Sequence, residues 1–288
     1  MRHSFTVSGE LAGSRLDQAL AALAEGLSRR AARALIEQGA VYLDGRRCRT
    51  ASRAVAEGAR IAVEEGPAPP TEVPDLAVLW RQGPLLVMNK PAGVPFAPTR
   101  AAAGGTVLHA LARRLGIPLK ALHPIHRLDT GTSGAVLVAL EARAAAFLGE
   151  ALREGRVAKT YNAWVAGQPK GAEGSWSFPL GRPVGGVVRL DPSGREARTL
   201  YRVLAREGEW AFLELRPLTG RTHQIRVHCA AAGVPILGDV KYGRPDPRFR
   251  RPLLHSRRLA FPLPGGGEAA VEAPLPADMA ALPGPLRA

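Results

Sequence analysis

The hydrophobic pattern of the first 65 residues predicts two helices followed by strands. Leucines at 16, 20 and 23 recur at helical spacing, which predicts a helix over 15–23. A second helix is expected over 29–38, with Ser28 as its N-cap and Gly39 as its stop. Strand-like runs follow at 41–45 and 60–63. This part of the chain therefore has the element content of a small α/β module.

The rest of the chain alternates strand and helix signals. A helix capped by Thr106 is expected through Leu115, an alanine-rich helix over 141–154, and a third from Gly220 to about Ala232. Predicted strands lie at 85–89, 134–140, 159–165, 197–204 and 210–215. Strands that follow one another without a helix between them favour antiparallel pairing. The pattern predicts an α+β fold with a largely antiparallel mixed sheet and flanking helices.

Proline-rich composition divides the chain into segments. Four prolines between positions 66 and 76 predict an extended linker. We therefore expect a module at 1–65, a linker at 66–76 and a larger domain at 77–272. A run rich in Pro, Ala and Gly at 273–288 predicts a loosely attached tail.

The charge balance indicates a polyanionic partner. Lys and Arg number 39 against 25 Asp and Glu, a formal net charge of +14. A field of this sign favours nucleic acid, although solvated arginines would give the same composition. Cys48 and Cys229 are too far apart in sequence for a metal pair and fit a reducing compartment. No run suggests a signal peptide or a membrane span, so we expect a cytoplasmic protein.

The densest polar cluster in an apolar neighbourhood lies at 123–134 and contains Asp129. A carboxylate in a loop that opens into a buried strand can be held rigidly for chemistry. The alternative is an Asx turn in which Asp129 caps its own loop. Asp129-Thr130-Gly131 also matches the short aspartic-protease signature, but no second Asp is followed by Thr/Ser-Gly, and that chemistry needs two carboxylates.

Metal binding is not favoured by the histidine spacing. His123, His126 and Asp129 are three residues apart, but Pro124 argues against a helix that would stack them. His223 and His228 are five apart, which puts them on different faces of a helix. We expect neither a metal nor another cofactor.

Arginines in two predicted helices are candidates for contacts with negatively charged groups. Arg221 shares a predicted helical face with Gln224, Ile225 and His228, in the first turn, where the helix dipole disfavours a cation. A buried carboxylate would justify it, and an amphipathic helix with a basic edge is the alternative. Arg29 and Arg33 share a face near a helix N-terminus, which suits phosphate contacts or merely a solvated surface.

Taken together, the motifs resemble the RluA-type pseudouridine synthases. Three runs carry the likeness across residues 77–265: His126-Arg127-Leu128-Asp129, Lys159-Thr160-Tyr161, and the stretch from Gly220 to His228. The first module resembles the S4-like RNA-binding domain through Arg15-Leu16-Asp17, Ser28-Arg29, Asp44-Gly45 and Gly58. The chain departs from the family pattern at Asn89, Ala97-Pro98, Thr130 and Ser256, none of them among the central residues.

The resemblance implies an RNA-modifying enzyme with Asp129 as nucleophile, Tyr161 against the target base and Arg221 paired with Asp129. It implies large-subunit ribosomal RNA as substrate, with tRNA as the alternative, and a base flipped out of its stack. Isomerisation of uridine needs no redox cofactor or metal. The carboxylate either attacks covalently or removes a sugar proton. RNA contacts are expected at Arg127, Arg29, Arg33, Arg226 and His228.

Two further classes of function remain as alternatives. A non-catalytic RNA-binding or ribosome-assembly protein could reuse the fold, but it would not need Asp129, Tyr161 and Arg221 together. A hydrolase of glycosidic bonds would need a second positioned carboxylate. We expect a monomer.

Overall fold

The computed structural model describes residues 2–38, 40–48, 50–64, 76–98 and 105–282. They fall into two compact units, which are treated separately. The smaller unit contains the described residues up to 64 together with Pro98 and Gly105, and the larger contains 76–97 and 106–282. Apart from Leu76, the linker predicted at 66–76 lies outside the described residues and stays a prediction.

The smaller unit packs two helices against a four-stranded sheet. The helices are α1 (Leu16–Leu23) and α2 (Arg29–Gln38), and the strands are β1 (Arg2–Thr6), β2 (Val41–Leu43), β3 (Arg46–Cys48) and β4 (Arg60–Glu64). The strand order is β1-β4-β2-β3, with every pair antiparallel. Both predicted helices are confirmed, and the Ser28 hydroxyl accepts a hydrogen bond from the Ala31 N–H at 3.2 Å. The stop predicted at Gly39 lies outside the described residues.

Burial of one face of each helix holds this unit together. Leu16, Leu20 and Ile36 have no exposed surface and pack with Ile61 of β4. Each side chain of this size contributes roughly 1.5–3 kcal/mol when buried. The helices are therefore stabilised mainly by the sheet that they cover.

The larger unit is built on a mixed sheet. Its strands are β5 (Val78–Gln82), β6 (Leu85–Lys90), β7 (His123–Pro124), β8 (Ser133–Ala139), β9 (Ala158–Ala166), β10 (Glu173–Ser177), β11 (Arg198–Glu207), β12 (Trp210–Pro217), β13 (Leu254–Pro262) and β14 (Glu268–Glu272). Its helices are α3 (Val107–Leu115), α4 (Ala142–Arg153), α5 (Gln224–Ala231) and α6 (Ala277–Ala280). The main strand order is β10-β11-β12-β9-β13-β8-β6-β5. Among these strands only β8 and β13 pair in parallel, so the predicted α+β fold with a largely antiparallel sheet is confirmed.

The parallel contact between β8 and β13 depends on Gly134. Its backbone has φ +113°, and a Cβ added there would lie 2.3 Å from the carbonyl oxygen of Ser256. Only glycine permits both that backbone angle and that approach. All seven residues of β8 are buried, so the loop that leads into this strand, which carries Asp129, starts from a rigid base.

The segment after residue 272 is packed rather than loose. Ala273 and Met279 are buried, and the Trp164 indole N–H donates to the Met279 carbonyl at 3.1 Å. Arg251 and Asp278 form an ion pair at 2.6 Å. The predicted loosely attached tail is therefore wrong for 273–282, because Met279 fills an apolar site beside Trp164. Residues 283–288 lie outside the described part.

Candidate active site

The loop that carries Asp129 is held by hydrogen bonds to its backbone. The Asp129 carbonyl accepts from the Thr132 N–H at 3.0 Å, which closes a tight turn. Lys90 Nζ, at the end of β6, donates to the carbonyls of Thr130 (3.1 Å) and Thr132 (2.9 Å). The turn leaves the Asp129 side chain one-quarter exposed. A carboxylate is thus presented to solvent on a rigid support.

The buried amine of Lys90 lies against the backbone of the loop that carries this carboxylate. Burial lowers the pKa of Lys90 to about 7, while the negative charge of Asp129 opposes the shift. The Nζ atom donates to a third carbonyl, that of Pro91, at 2.8 Å. The three carbonyls provide one acceptor for each N–H of the ammonium group, so its hydrogen-bonding capacity is fully used. Lys90 therefore holds the loop that carries Asp129, and in its ammonium form it adds a positive charge near that carboxylate.

The guanidinium that faces Asp129 belongs to Arg226, in α5. Its Nη1 donates to Asp129 Oδ2 at 3.0 Å, and its Nε and Nη2 donate to the two oxygens of Asp239, each at 2.7 Å. Asp239 is fully buried. Burial alone would lower the pKa of Arg226, but the hydrogen bonds and charges of both carboxylates raise it. Arg226 is therefore a fixed positive charge between two carboxylates.

The expectation that Arg221 pairs with Asp129 is wrong. Its Nε donates instead to the carbonyl of Glu196 at 3.0 Å. The reason is local: α5 begins at Gln224 rather than at Gly220, so Arg221 precedes the helix and the helical wheel does not apply to it. The Gln224 amide oxygen accepts the Arg221 N–H, while its amide nitrogen donates to the Arg198 carbonyl, which fixes this turn on β11.

Tyr161 lies in β9, opposite Ser256 of β13, and its side chain is buried. Burial raises the pKa of the Tyr161 hydroxyl, and the negative charge of Asp129 raises it further, against a smaller opposing effect of Ser256. The phenol is therefore neutral. Ser256 also pairs with Gly134 of β8, so only β13 separates Tyr161 from the strand that follows the Asp129 loop. This places two of the three predicted catalytic residues, Asp129 and Tyr161, in one neighbourhood.

His223 and Tyr242 border the same carboxylate and were not predicted as site residues. His223 Nε2 lies 3.7 Å from Asp129 Oδ2, and His223 Nδ1 lies 2.6 Å from the Tyr242 hydroxyl. The Tyr242 ring also faces the Arg226 guanidinium at 5.0 Å. From the sequence, His223 was considered only as a possible metal ligand with His228 and as part of the stretch from Gly220 to His228, and Asp239 and Tyr242 lie outside the three motifs.

The predicted RNA contacts separate into exposed and buried groups. Arg127 is exposed, and Arg29 and Arg33 are more than half exposed although they pair with Asp17 (3.5 Å) and Glu37 (2.9 Å). Arg226 and His228 are buried, so their prediction as RNA contacts is wrong. Arg226 is occupied by Asp129 and Asp239, and His228 Nε2 lies 3.1 Å from the Phe178 carbonyl.

The described ranges contain no group of three or more His, Cys, Asp or Glu side chains arranged to hold a metal ion. His126, one of the residues considered for a metal, accepts a hydrogen bond from the Leu137 N–H through Nε2 at 3.1 Å. None of the helices in the described residues has the length and apolar character needed to cross a bilayer.

Comparison with known proteins identifies the class. Residues 84–231 match the family model for RNA pseudouridylate synthase, and residues 14–61 match the model for the S4 domain. The chain belongs to the RNA pseudouridine synthases, and the resemblance of its motifs to this family and of its first module to the S4 domain is confirmed.

Relatives of this class align over almost the whole chain. An uncharacterized RNA pseudouridine synthase of Mycobacterium bovis is 38% identical, covering 96% of this chain and 95% of the relative. Ribosomal large subunit pseudouridine synthase D of Nitrosomonas europaea is 37% identical, covering 96% and 86%. The solved structure of human RNA Pseudouridylate Synthase Domain Containing 4 is 28% identical with a TM-score of 0.58, covering 70% of this chain and 90% of that one.

Proposed function

We propose that this enzyme converts specific uridines of large-subunit (23S) ribosomal RNA to pseudouridine, with Asp129 as the nucleophile. The observation that carries the proposal is the Asp129–Arg226–Asp239 ion-pair network at the end of the loop before β8. Support for the substrate comes from relatives named ribosomal large subunit pseudouridine synthase D, which align over 96% of the chain, including the S4 domain.

The reaction explains why one carboxylate is held beside one guanidinium. Pseudouridine formation breaks the bond between C1′ and N1 and forms a bond between C1′ and C5; the C5 proton is lost and N1 gains one. An ionised carboxylate either adds covalently to the nucleotide or removes a sugar proton while the base leaves and turns. Both routes need a negative charge in a closed pocket, which Arg226 stabilises. The isomerisation involves no net oxidation, so the proposal includes no metal or cofactor.

Access to the base requires that it leave its stack in the folded RNA. Tyr161, neutral and close to Asp129, is the platform for the flipped ring. Arg127 is exposed two residues before Asp129 and contacts the phosphate or fills the vacated space. An uncharged phenol suits this role, because a phenolate would repel the carboxylate beside it.

Affinity for the RNA comes from charge spread over the chain. The net charge of +14 favours binding to RNA phosphates, and we expect the affinity for RNA to fall as the salt concentration rises. Arg29 and Arg33 of α2 give the S4 domain its phosphate contacts, and a second point of attachment raises the effective concentration of the catalytic domain at its target. The enzyme acts as a monomer in the cytoplasm.

Mapping of pseudouridines in unmodified transcripts tests this proposal. Purified enzyme is incubated with 23S ribosomal RNA and, separately, with a pool of tRNA transcripts, and the modified positions are read by reverse transcription after carbodiimide labelling. We expect discrete new pseudouridines in 23S RNA and none in tRNA. Modification of tRNA alone would contradict the proposed substrate but not the proposed chemistry.

A further inference from the structure

The two oxygens of the Asp129 carboxylate have different surroundings. Arg226 Nη1 donates to Oδ2 at 3.0 Å, and His223 Nε2 lies 3.7 Å from the same oxygen. Within the described part of the chain, Oδ1 accepts no hydrogen bond. Oδ2 is therefore held by Arg226 and faces His223, whereas Oδ1 has no hydrogen-bond donor among the described residues.

The far side of the His223 ring is fixed by Tyr242. The Tyr242 hydroxyl oxygen lies 2.6 Å from His223 Nδ1 and accepts the Val188 N–H at 2.9 Å. If the phenol donates its proton to Nδ1, the ring hydrogen lies on Nε2 and faces Asp129. The opposite tautomer would turn a nitrogen lone pair towards a carboxylate and leave the phenol proton without this acceptor. The contacts on both sides of the ring favour the tautomer with hydrogen on Nε2.

The backbone of His223 is held in an uncommon conformation. With φ 56° and ψ 14° it is left-handed, a strained conformation that residues with a side chain rarely adopt. The residue occupies the N-cap position of α5, yet its side chain makes no capping hydrogen bond. The strain therefore serves to point the imidazole at Asp129 and Tyr242 rather than to begin the helix.

We propose that His223 is a positioning residue for Asp129: its neutral imidazole, oriented by Tyr242, directs the Nε2–H at Oδ2 and leaves Oδ1 as the reacting oxygen. This inference rests on the proposed function, because it assumes that Asp129 is the nucleophile. The separation is 3.7 Å in the protein without RNA; the proposal requires it to shorten to a hydrogen bond in the RNA complex, as catalytic contacts commonly do.

The charge state of His223 matters for this role. Arg226 already neutralises the charge of Asp129, and an imidazolium would add a second positive charge that weakens the carboxylate as a nucleophile, so the neutral ring is the active form. Burial lowers the pKa of His223, with opposing effects from the charged neighbours that face it. The titratable and charged groups around the ring are Asp129, Arg226, Asp239, Lys241 and Tyr242.

The neutral form of His223 determines the direction in which activity changes with pH. Activity should fall as the pH drops through the pKa of His223, because protonation removes the neutral form. The Tyr242 hydroxyl donates to the neutral ring and so lowers that pKa; Tyr242→Phe should raise it and move the acid limb of the rate profile upwards. His223→Gln removes the imidazole that Tyr242 orients, and its side chain cannot titrate, so this limb should disappear.

The experiment measures single-turnover rates on the RNA substrate between about pH 5 and pH 8 for wild type, His223→Gln and Tyr242→Phe. His109→Gln is the matched control, because His109 Nδ1 also lies beside a hydroxyl, that of Thr106 at 2.8 Å, in helix α3. We expect His223→Gln to lower the rate at neutral pH about 10- to 100-fold, the effect of one hydrogen bond to a charged group, with unchanged RNA affinity. His109→Gln should keep the wild-type rate and profile.

The outcomes separate this inference from the proposed function. Wild-type rates with an unchanged acid limb in His223→Gln would overturn the positioning role. If His223→Gln misfolds or loses RNA binding, Tyr242→Phe decides, because it keeps the imidazole: an upward shift of the acid limb supports the inference, and an unshifted limb refutes it. Activity near the wild-type rate in Asp129→Asn would instead contradict the proposed role of Asp129 as the nucleophile, on which this inference rests.

Discussion

Replacing Arg226 with lysine keeps a positive charge at the site but removes the planar group that joins two carboxylates. Arg226 bonds both oxygens of Asp239 at 2.7 Å and one oxygen of Asp129 at 3.0 Å. A single ammonium cannot reproduce a bidentate contact and also reach a second carboxylate. Because Asp239 is fully buried and must keep a partner, we expect the contact with Asp129 to be the one that is lost.

The size of the effect follows from the bond that is lost. A hydrogen bond to a charged group contributes about 1.5–3 kcal/mol. If this bond stabilises Asp129 in the transition state, Arg226→Lys should lower kcat about 10- to 150-fold, since about 1.4 kcal/mol corresponds to a factor of ten. The affinity for RNA should change little, because Arg226 is buried. Lysine is preferable to glutamine here, since an uncompensated buried Asp239 would cost roughly 3–5 kcal/mol of stability.

Single-turnover kinetics with saturating enzyme provide the assay, and Arg221→Lys is the matched control from the same motif. The Arg221→Lys variant loses at most one exposed hydrogen bond to the Glu196 carbonyl, so the rate of this variant should stay within about threefold of wild type. A large rate loss in Arg221→Lys together with a near-normal Arg226→Lys would refute the assignment of Arg226 as the partner of Asp129.

Three further predictions concern stability and RNA binding. Gly134→Ala should lower the free energy of unfolding, measured in urea, by at least about 2 kcal/mol, because alanine disfavours this φ and its Cβ would clash between β8 and β13. Gly149→Ala, within α4, is the control and should raise the free energy of unfolding by about 0.5–1 kcal/mol. Burial lowers the pKa of His255 to about 4, so the unfolded chain binds a proton at this side chain at a higher pH than the folded protein does. The free energy of unfolding should therefore fall as the pH drops from about 6.5 towards 4. His255→Gln should make this dependence of the free energy of unfolding on pH less steep. Joint replacement of Arg29 and Arg33 by alanine should lower the slope of log affinity against log salt by about 1–2 in filter-binding titrations; an unchanged slope would exclude these contacts.

Elements with their own start and stop signals could be predicted from the sequence. Helix α3 begins after Thr106, whose hydroxyl accepts the His109 N–H, and ends at Gly116 in the left-handed conformation, as expected. Strand β13, at the centre of the sheet, was not predicted. Its alternation is interrupted where the register shifts between Ser256 and Arg258, and periodicity does not reveal such a shift.

The site was predicted in part, and the missed part depends on tertiary structure. Asp129 and Tyr161 stand in motifs, so resemblance was sufficient to select them as candidates, and their catalytic roles remain predictions. The choice between Arg221 and Arg226 depended on where α5 begins, which is set by the Gln224 contacts with Arg198 and by the left-handed His223. Neither the Gln224 contacts nor the left-handed backbone of His223 produces a hydrophobic periodicity that the sequence would show. Asp239 approaches Arg226 from the loop after α5, and only the fold brings them together.

The central claim is that the carboxylate of Asp129 carries out the chemistry, and Asp129→Asn tests it most directly because the amide keeps the size of the side chain and removes its charge. Purified variant and wild type are compared in binding to the RNA substrate and in pseudouridine formation over a single turnover. We expect near-normal RNA binding by the asparagine variant and no detectable product. Product formation by the asparagine variant at a rate near that of wild type would contradict it.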